Sequence, residues 1–303
     1  MTRHFLDVDD LSAQELEVVL DLAEDKPPPV LAGRGVALIF EHPSNRTRNA
    51  TEMAVVQLGG HPVTISGSEV GLDRREPAED VARVLAGYHA VICARVARHP
   101  TLERMAAAID RAGQAVPVVN LLSDLAHPCQ ALADLLTIRQ CLGTTRDVTI
   151  AYVGDGNNVC RSLTKAAALA GARCRVASPA GHTLSDADLD AVRALGGDLV
   201  LTDQPAQAVK GADVVYTDVW TSMGQEEEQQ ARRDAFAGYT VDRHLLAGAG
   251  PDAIVLHCLP AHRGEEIAAD VVDGPRSRVW QQATNRMHAA RGLLAWLMQD
   301  GPR

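Results

Sequence analysis

The sequence predicts an α/β protein built from two doubly wound parallel-sheet domains joined by bridging helices. Three observations predict it. The chain has 303 residues, about twice the length of an ordinary domain. Short runs rich in β-branched residues alternate with longer stretches of helical periodicity. The runs are apolar throughout rather than alternating, which suits strands buried on both faces of a parallel sheet.

The first strand series comprises Val36–Phe40, Pro62–Ile65, Ala90–Ala94 and Val116–Asn120. The second comprises Val148–Val153, Arg173–Ala177, Asp198–Leu201, Asp213–Thr217 and Ala253–His257. Ser12 with Glu15 reads as a capping box that opens the first helix, and Pro27-Pro-Pro29 forces a linker after it. Thr47–Leu58, Leu102–Ala112, Pro128–Leu142, Asn158–Ala170 and Arg286–Met298 carry apolar residues at helical spacing. The polar break Gly143-Thr-Thr-Arg-Asp147 separates the series, so the expected domains are 1–142 and 143–285, with the Pro128–Leu142 helix bridging them.

Composition narrows the function. With aromatics at 3%, the core must rest on Ala, Val, Leu and Ile. A net charge of −10 argues against a general nucleic-acid binder, which needs a basic face, but leaves room for a small anion in a local pocket. No apolar run approaches the ~18 residues of a membrane helix, and MTRHFLDVDD lacks the apolar core of a signal peptide. Six scattered cysteines without a C-x-x-C pair read as reduced thiols in a cytoplasmic protein.

In parallel α/β sheets ligands bind where strands end and helices begin, and the polar clusters fall there. Phe40-Glu-His-Pro-Ser-Asn-Arg-Thr-Arg48 offers hydroxyl, amide and guanidinium groups at a helix start, the chemistry of a phosphate site; its bland reading is a capping Ser44 with solvated arginines. Arg95 directly follows the strand Ala90–Ala94; its bland reading is a surface residue. His127-Pro-Cys-Gln130 opens the bridging helix, where both His127 and Gln130 can donate to a carbonyl. Gly154-Asp-Gly-Asn-Asn158 superficially resembles a dinucleotide loop, but Val159 stands where the third Gly belongs and no acidic residue closes the next strand. Its two amides suit a carboxylate instead. Asp218-Val-Trp-Thr-Ser-Met-Gly224 offers a carboxylate for an ammonium group, or merely a capped turn. His257-Cys-Leu-Pro-Ala-His-Arg263 tempts a zinc reading, yet the spacing fits no structural zinc pattern and a fourth ligand is missing. Cys258 as a covalent nucleophile lacks a partner motif. Arg286 is expected to open the last helix. Gly71-Leu-Asp-Arg-Arg-Glu76 reads as a flexible solvated loop, and Glu226-Glu-Glu228 as a solvated acidic run.

Taken in order, these motifs resemble the aspartate/ornithine carbamoyltransferase family. Ser44-Asn-Arg-Thr-Arg48 and His127-Pro-Cys-Gln130 are similar to signatures of the whole family. Asp218-Val-Trp-Thr-Ser-Met-Gly224 and His257-Cys-Leu-Pro260 are similar to those of its ornithine branch. The resemblance implies that the first domain binds carbamoyl phosphate, the second binds ornithine, and the C-terminal helix 286–303 returns to the first domain. It implies a homotrimer with shared active sites, a role in arginine biosynthesis or, run in reverse, in arginine catabolism, and no metal or organic cofactor.

Residue by residue, the resemblance assigns the phosphate to Ser44, Asn45, Arg46 and Thr47. Arg95, His127 and Thr47 would polarise the carbamoyl oxygen, Gln130 and the Leu259 carbonyl would take the carbamoyl NH2, and Arg286 would help neutralise the donor. Asn158 would hold the ornithine carboxylate, and Asp218, Ser222 and the Met223 backbone the α-ammonium. Cys258 and Asp218 would orient and deprotonate the attacking amine. Asn45 stands where the family usually has Thr. In the loop that reaches a neighbouring subunit, Gly71 falls where Gln or His is usual, leaving Arg74 and Arg75 as candidates. The rival readings are a carbamoyltransferase for putrescine, lysine or aspartate, and a nucleotide-binding oxidoreductase.

Overall fold

The computed structural model describes residues 2–221 and 228–299. It divides into two compact units: the chain up to Ala133 together with the segment from Thr284 on, and Asp134–Ala283. Both divisions fall inside helices, Pro128–Leu142 and Val279–Leu297. Among the described residues no helix is long and apolar enough to cross a membrane.

The first unit carries a parallel sheet of β1 (Gly35–Phe40), β2 (His61–Ser66), β3 (His89–Arg95) and β4 (Val118–Leu122), in the order β2-β1-β3-β4. The second carries β5 (Thr149–Val153), β6 (Arg173–Ala177), β7 (Asp198–Thr202), β8 (Val214–Thr217) and β9 (Ile254–His257), also parallel, in the order β7-β6-β5-β8-β9. All nine expected strands are present. The fourth lies two residues later than expected, because Val116 and Pro117 precede the first pairing of Val118 with Ile92.

Alternate residues of one strand enter different cores, so both faces of the second sheet are covered. Ile150, Tyr152, Val214 and Tyr216 pack into one cluster, and Ala151, Val153, Val215 and Val255 into another. Tyr152 and Tyr216 stack with centroids 5.7 Å apart. In the first sheet Ala37, Ile39, Ile92 and Ala94 share one cluster, while the intervening Val36, Leu38, Val91 and Cys93 are also fully buried. Burial on both faces fails for β2 and β7, both edge strands, and in part for β6, where Arg173 is exposed and Arg175 half-buried.

Ser12 and Glu15 form both arms of the expected capping box ahead of Ala13–Glu24. The helices Pro128–Leu142 and Asn158–Ala170 occupy their expected ranges. The last helix begins at Val279, so Arg286 sits two turns inside it rather than at its start. The sequence from Val279 to Asn285 is rich in amides and lies ahead of the expected helix, but Val279 and Gln282 are buried and stabilise the extra turns by packing. Beyond Thr284 this helix packs on Ala13–Glu24. Arg291 Nη2 donates to the Ala23 and Asp25 carbonyls at 2.7 Å each. Gly292 permits the approach, since a Cβ there would lie 2.5 Å from the Val19 carbonyl oxygen.

Candidate active site

In each sheet one pair of neighbouring strands marks the point where the winding reverses, β1/β3 in the first and β5/β8 in the second. The crevice beyond their carboxyl ends is the expected ligand site of such sheets, and the polar clusters follow these strands.

In the first unit β1 leads through Glu41 to Ser44, which precedes the helix Asn45–Gln57. Ser44 makes no side-chain cap. Its hydroxyl instead accepts from Arg95 Nη1 at 3.0 Å, so the bland reading of Ser44 as a capping residue fails. The first turn contains no acidic residue, and its amides keep their positive end of the helix dipole. Thr47 is buried, and its Oγ1 accepts from Arg286 Nη2 at 2.6 Å. Arg286 reaches this cluster from inside the last helix.

Arg95 is buried. Desolvation, followed by repulsion from Arg286 and Arg46, lowers its pKa to about 10; it stays charged at neutral pH. The Nε atoms of Arg46 and Arg95 are both buried and have no hydrogen-bond partner among the described residues. Buried cationic donors that face like charges can be satisfied by an anion. Asn45 is exposed at the head of the helix.

His127 and Gln130 stand at the start of the bridging helix and are buried. Burial, then the charges of Arg286 and Arg95, hold the His127 pKa well below its ordinary value, so the imidazole is neutral at pH 7. Cys129 lies between them, its thiol donating to the Asn120 carbonyl at 3.3 Å and pushed by burial to about 12. It is a core residue.

In the second unit Asn157 caps the helix Asn158–Ala170, accepting from the Val159 and Cys160 amides at 2.9 and 3.1 Å. Its Nδ2 donates to Asp218 Oδ2 at 2.9 Å. The Cys258 thiol donates to Asp218 Oδ1 at 2.9 Å. Asp218 is therefore held through both oxygens, by one residue following β5 and one following β9. Asn158 follows Asn157 in the chain and is half-buried at the helix start. Gly156 fits where a Cβ would meet the Thr183 backbone at 2.5 Å. Ser222 and Met223 lie outside the described residues, as do Gly224 and Glu226; Glu228 pairs with Arg232 at 3.0 Å.

Asp218, His257 and Cys258 bring ligand-type atoms within 4.8 Å of one another. They are committed to each other and to their neighbours: the thiol to Asp218, and both His257 nitrogens to Glu266 and the Leu259 amide. The expected flexible loop at Gly71–Glu76 is instead an anchored turn. Leu72 is buried, Asp73 pairs with Arg104, and Asp73 Oδ1 accepts the Ala78 amide. Arg74 and Arg75 remain exposed.

Sequence reasoning read Asn157 with Asn158 as a carboxylate site rather than as a cap that also holds Asp218, and it missed Glu266. Asn157 carried a signal in its position before a helix, while Glu266 gave none, because its partner is reached only by folding.

The structure is thus a parallel α/β protein with buried cationic donors at one switch point and a carboxylate–thiol–amide cluster at another. Two family profiles match the chain. Residues 3–140 fit the aspartate/ornithine carbamoyltransferase carbamoyl-P binding domain, and residues 146–297 the Asp/Orn binding domain. An ornithine carbamoyltransferase of Acidothermus cellulolyticus is 51% identical over 98% of this chain and 97% of its own. The structure of the Pyrococcus furiosus ornithine carbamoyltransferase superposes with a TM-score of 0.92 at 43% identity, covering 98% and 97% of the two chains. That of the Thermus thermophilus enzyme gives 0.89 at 42% identity, covering 99% and 100%. The chain belongs to the aspartate/ornithine carbamoyltransferase family.

Proposed function

We propose that this protein transfers the carbamoyl group of carbamoyl phosphate to the side-chain amine of L-ornithine, giving L-citrulline and phosphate in arginine biosynthesis. The observation that carries the reading is the pair of buried, unpartnered Arg46 and Arg95 Nε groups beside an uncapped helix start. An acyl phosphate supplies the missing negative charge. Family membership supports the carbamoyl donor, and the ornithine-branch motifs around Asp218 and Cys258 support the acceptor.

In the proposed reaction Ser44, Asn45, Arg46 and Thr47 bind the phosphate, with Arg286 adding charge. Arg95, neutral His127 and Thr47 donate to the carbamoyl oxygen, while Gln130 and the Leu259 carbonyl accept from the carbamoyl NH2. Asn158 takes the ornithine carboxylate; Asp218, Ser222 and the Met223 backbone take its α-ammonium. The side-chain amine attacks the carbonyl carbon through its lone pair. The tetrahedral intermediate collapses as the bond from carbon to the bridging phosphate oxygen breaks, its electrons leaving with phosphate. The nitrogen gives up its proton towards the Cys258–Asp218 pair. Positioning and oxyanion stabilisation supply most of the acceleration, and the chemistry calls on neither a metal nor an organic cofactor.

The test offers carbamoyl phosphate with ornithine, putrescine, lysine and aspartate in parallel and measures the ureido product. Ornithine is expected to turn over fastest; faster turnover of another acceptor overturns the reading. Assembly as a homotrimer and a cytoplasmic location belong to the same proposal. Light scattering on the purified protein tests the trimer.

A further inference from the structure

His257 and Glu266 have no part in the roles assigned above, yet both side chains are completely enclosed. The hydrogen bonds decide their protonation. The Leu259 amide can only donate, and it donates to His257 Nδ1 at 2.9 Å. The ring proton is therefore on Nε2, which donates to Glu266 Oε1 at 3.0 Å. The same carboxylate oxygen accepts the His262 amide at 2.6 Å, and the His257 amide donates to Gln282 Oε1 at 2.8 Å. One buried pair thus grips the loop that follows β9 at two points.

Between those points Leu259 has a φ of 62°. A residue with a branched side chain seldom occupies this left-handed region, and such a conformation persists when its surroundings over-determine it. The bond to His257 fixes the plane of the peptide from which Leu259 projects, and Glu266 fixes the far end of the loop. We propose that the His257–Glu266 pair is a positioning device that holds Leu259 so that its carbonyl recognises the NH2 of the carbamoyl donor. The inference rests on the donor assignment made above and adds a specificity role for two residues that touch no substrate.

Acetyl phosphate separates this role from a general structural one, because it carries a methyl group where carbamoyl phosphate carries NH2. Its phosphate and carbonyl make the same contacts, but it has nothing to donate to Leu259. The experiment measures the affinity of the full-length protein for both compounds by calorimetry. His257→Asn keeps an acceptor near the Nδ1 position. His257→Gln keeps a donor near Nε2 and loses that acceptor. His257→Gln is expected to weaken carbamoyl phosphate about tenfold, the scale of one lost hydrogen bond with an unsatisfied group, and acetyl phosphate less than about twofold. Glu266→Gln, which keeps an acceptor for both the His262 amide and His257 Nε2, should retain the wild-type preference, whereas His257→Asn, which keeps the acceptor for the Leu259 amide but loses the bond to Glu266, should lose part of it. If His257→Gln does not fold, Glu266→Asp, which withdraws the carboxylate by one methylene, takes its place with the same selective loss expected. Equal weakening of both phosphates, or an unchanged preference for carbamoyl phosphate, overturns the proposal. Failure of the wild-type protein to bind carbamoyl phosphate overturns the donor assignment itself.

Discussion

Arg95 donates to the hydroxyl of Ser44 at 3.0 Å, and so diverts it from the helix that Ser44 precedes. The amides of that first turn take no cap from it. The side chain adds nothing to the helix start, and in the proposed reaction it binds phosphate. Its removal should therefore cost little stability. Ser44→Ala is expected to change unfolding free energy by less than ~0.5 kcal/mol, against ~1 kcal/mol for a working cap. It should weaken carbamoyl phosphate several-fold. Urea denaturation and calorimetry on one preparation check both halves.

His127 makes stability depend on pH. Its pKa is held well below 6.5 in the folded protein and returns to about 6.5 on unfolding. Below that value the unfolded chain binds a proton that the folded chain refuses, so stability falls as pH drops from about 6.5 towards the folded pKa. Above 6.5 this contribution is constant. His127→Gln should lessen the loss between pH 7.5 and 5.5; an identical pH dependence in the variant would show that the imidazole does not titrate this way.

Asn157 separates capping from substrate binding. Asn157→Asp keeps an oxygen for the Val159 and Cys160 amides, so stability should stay within ~1 kcal/mol. It loses the Nδ2 donor and sets a second carboxylate beside Asp218. The ornithine KM should change at least about fivefold while the carbamoyl phosphate KM stays near wild type, because like charges at this range disturb the local pair. Steady-state kinetics with each substrate varied in turn decide it.

Gly292→Ala reverses a general rule. In an exposed helix this change stabilises by ~1 kcal/mol. Here the new Cβ would meet the Val19 carbonyl at 2.5 Å and the Ala23 amide nitrogen at 2.7 Å, both backbone atoms that yield poorly. A net loss of ~1–3 kcal/mol is expected, the cost of overpacking, read from the denaturation midpoint.

Much of this was legible in the sequence because it depends on local rules. Apolar runs marked all nine strands, and the capping box at Ser12 marked the first helix. Polar clusters after β1, β3, β5, β8 and β9 marked the candidate site, since a parallel sheet puts ligand chemistry at strand ends. What failed had no local signature. The burial of Val279 and Gln282, which extends the last helix past Arg286, is a property of packing. So is the exposure of β2 and β7, since β4 and β9 also stand at sheet edges and are largely buried.

The sequence by itself determined the α/β class, the strand inventory and the residues that could bind an anion or an amine, because periodicity and residue chemistry are written along the chain. Only the tertiary structure decided what those residues do to one another. It turned Ser44 towards Arg95, brought Arg286 to Thr47, set Asn157 and Cys258 on the two oxygens of Asp218, and buried Glu266 against His257. All but the last of these pairings join residues distant in the chain. They depend on strand order and helix packing, and a hydrogen bond exists only where folding places its donor and acceptor within about 3 Å of each other.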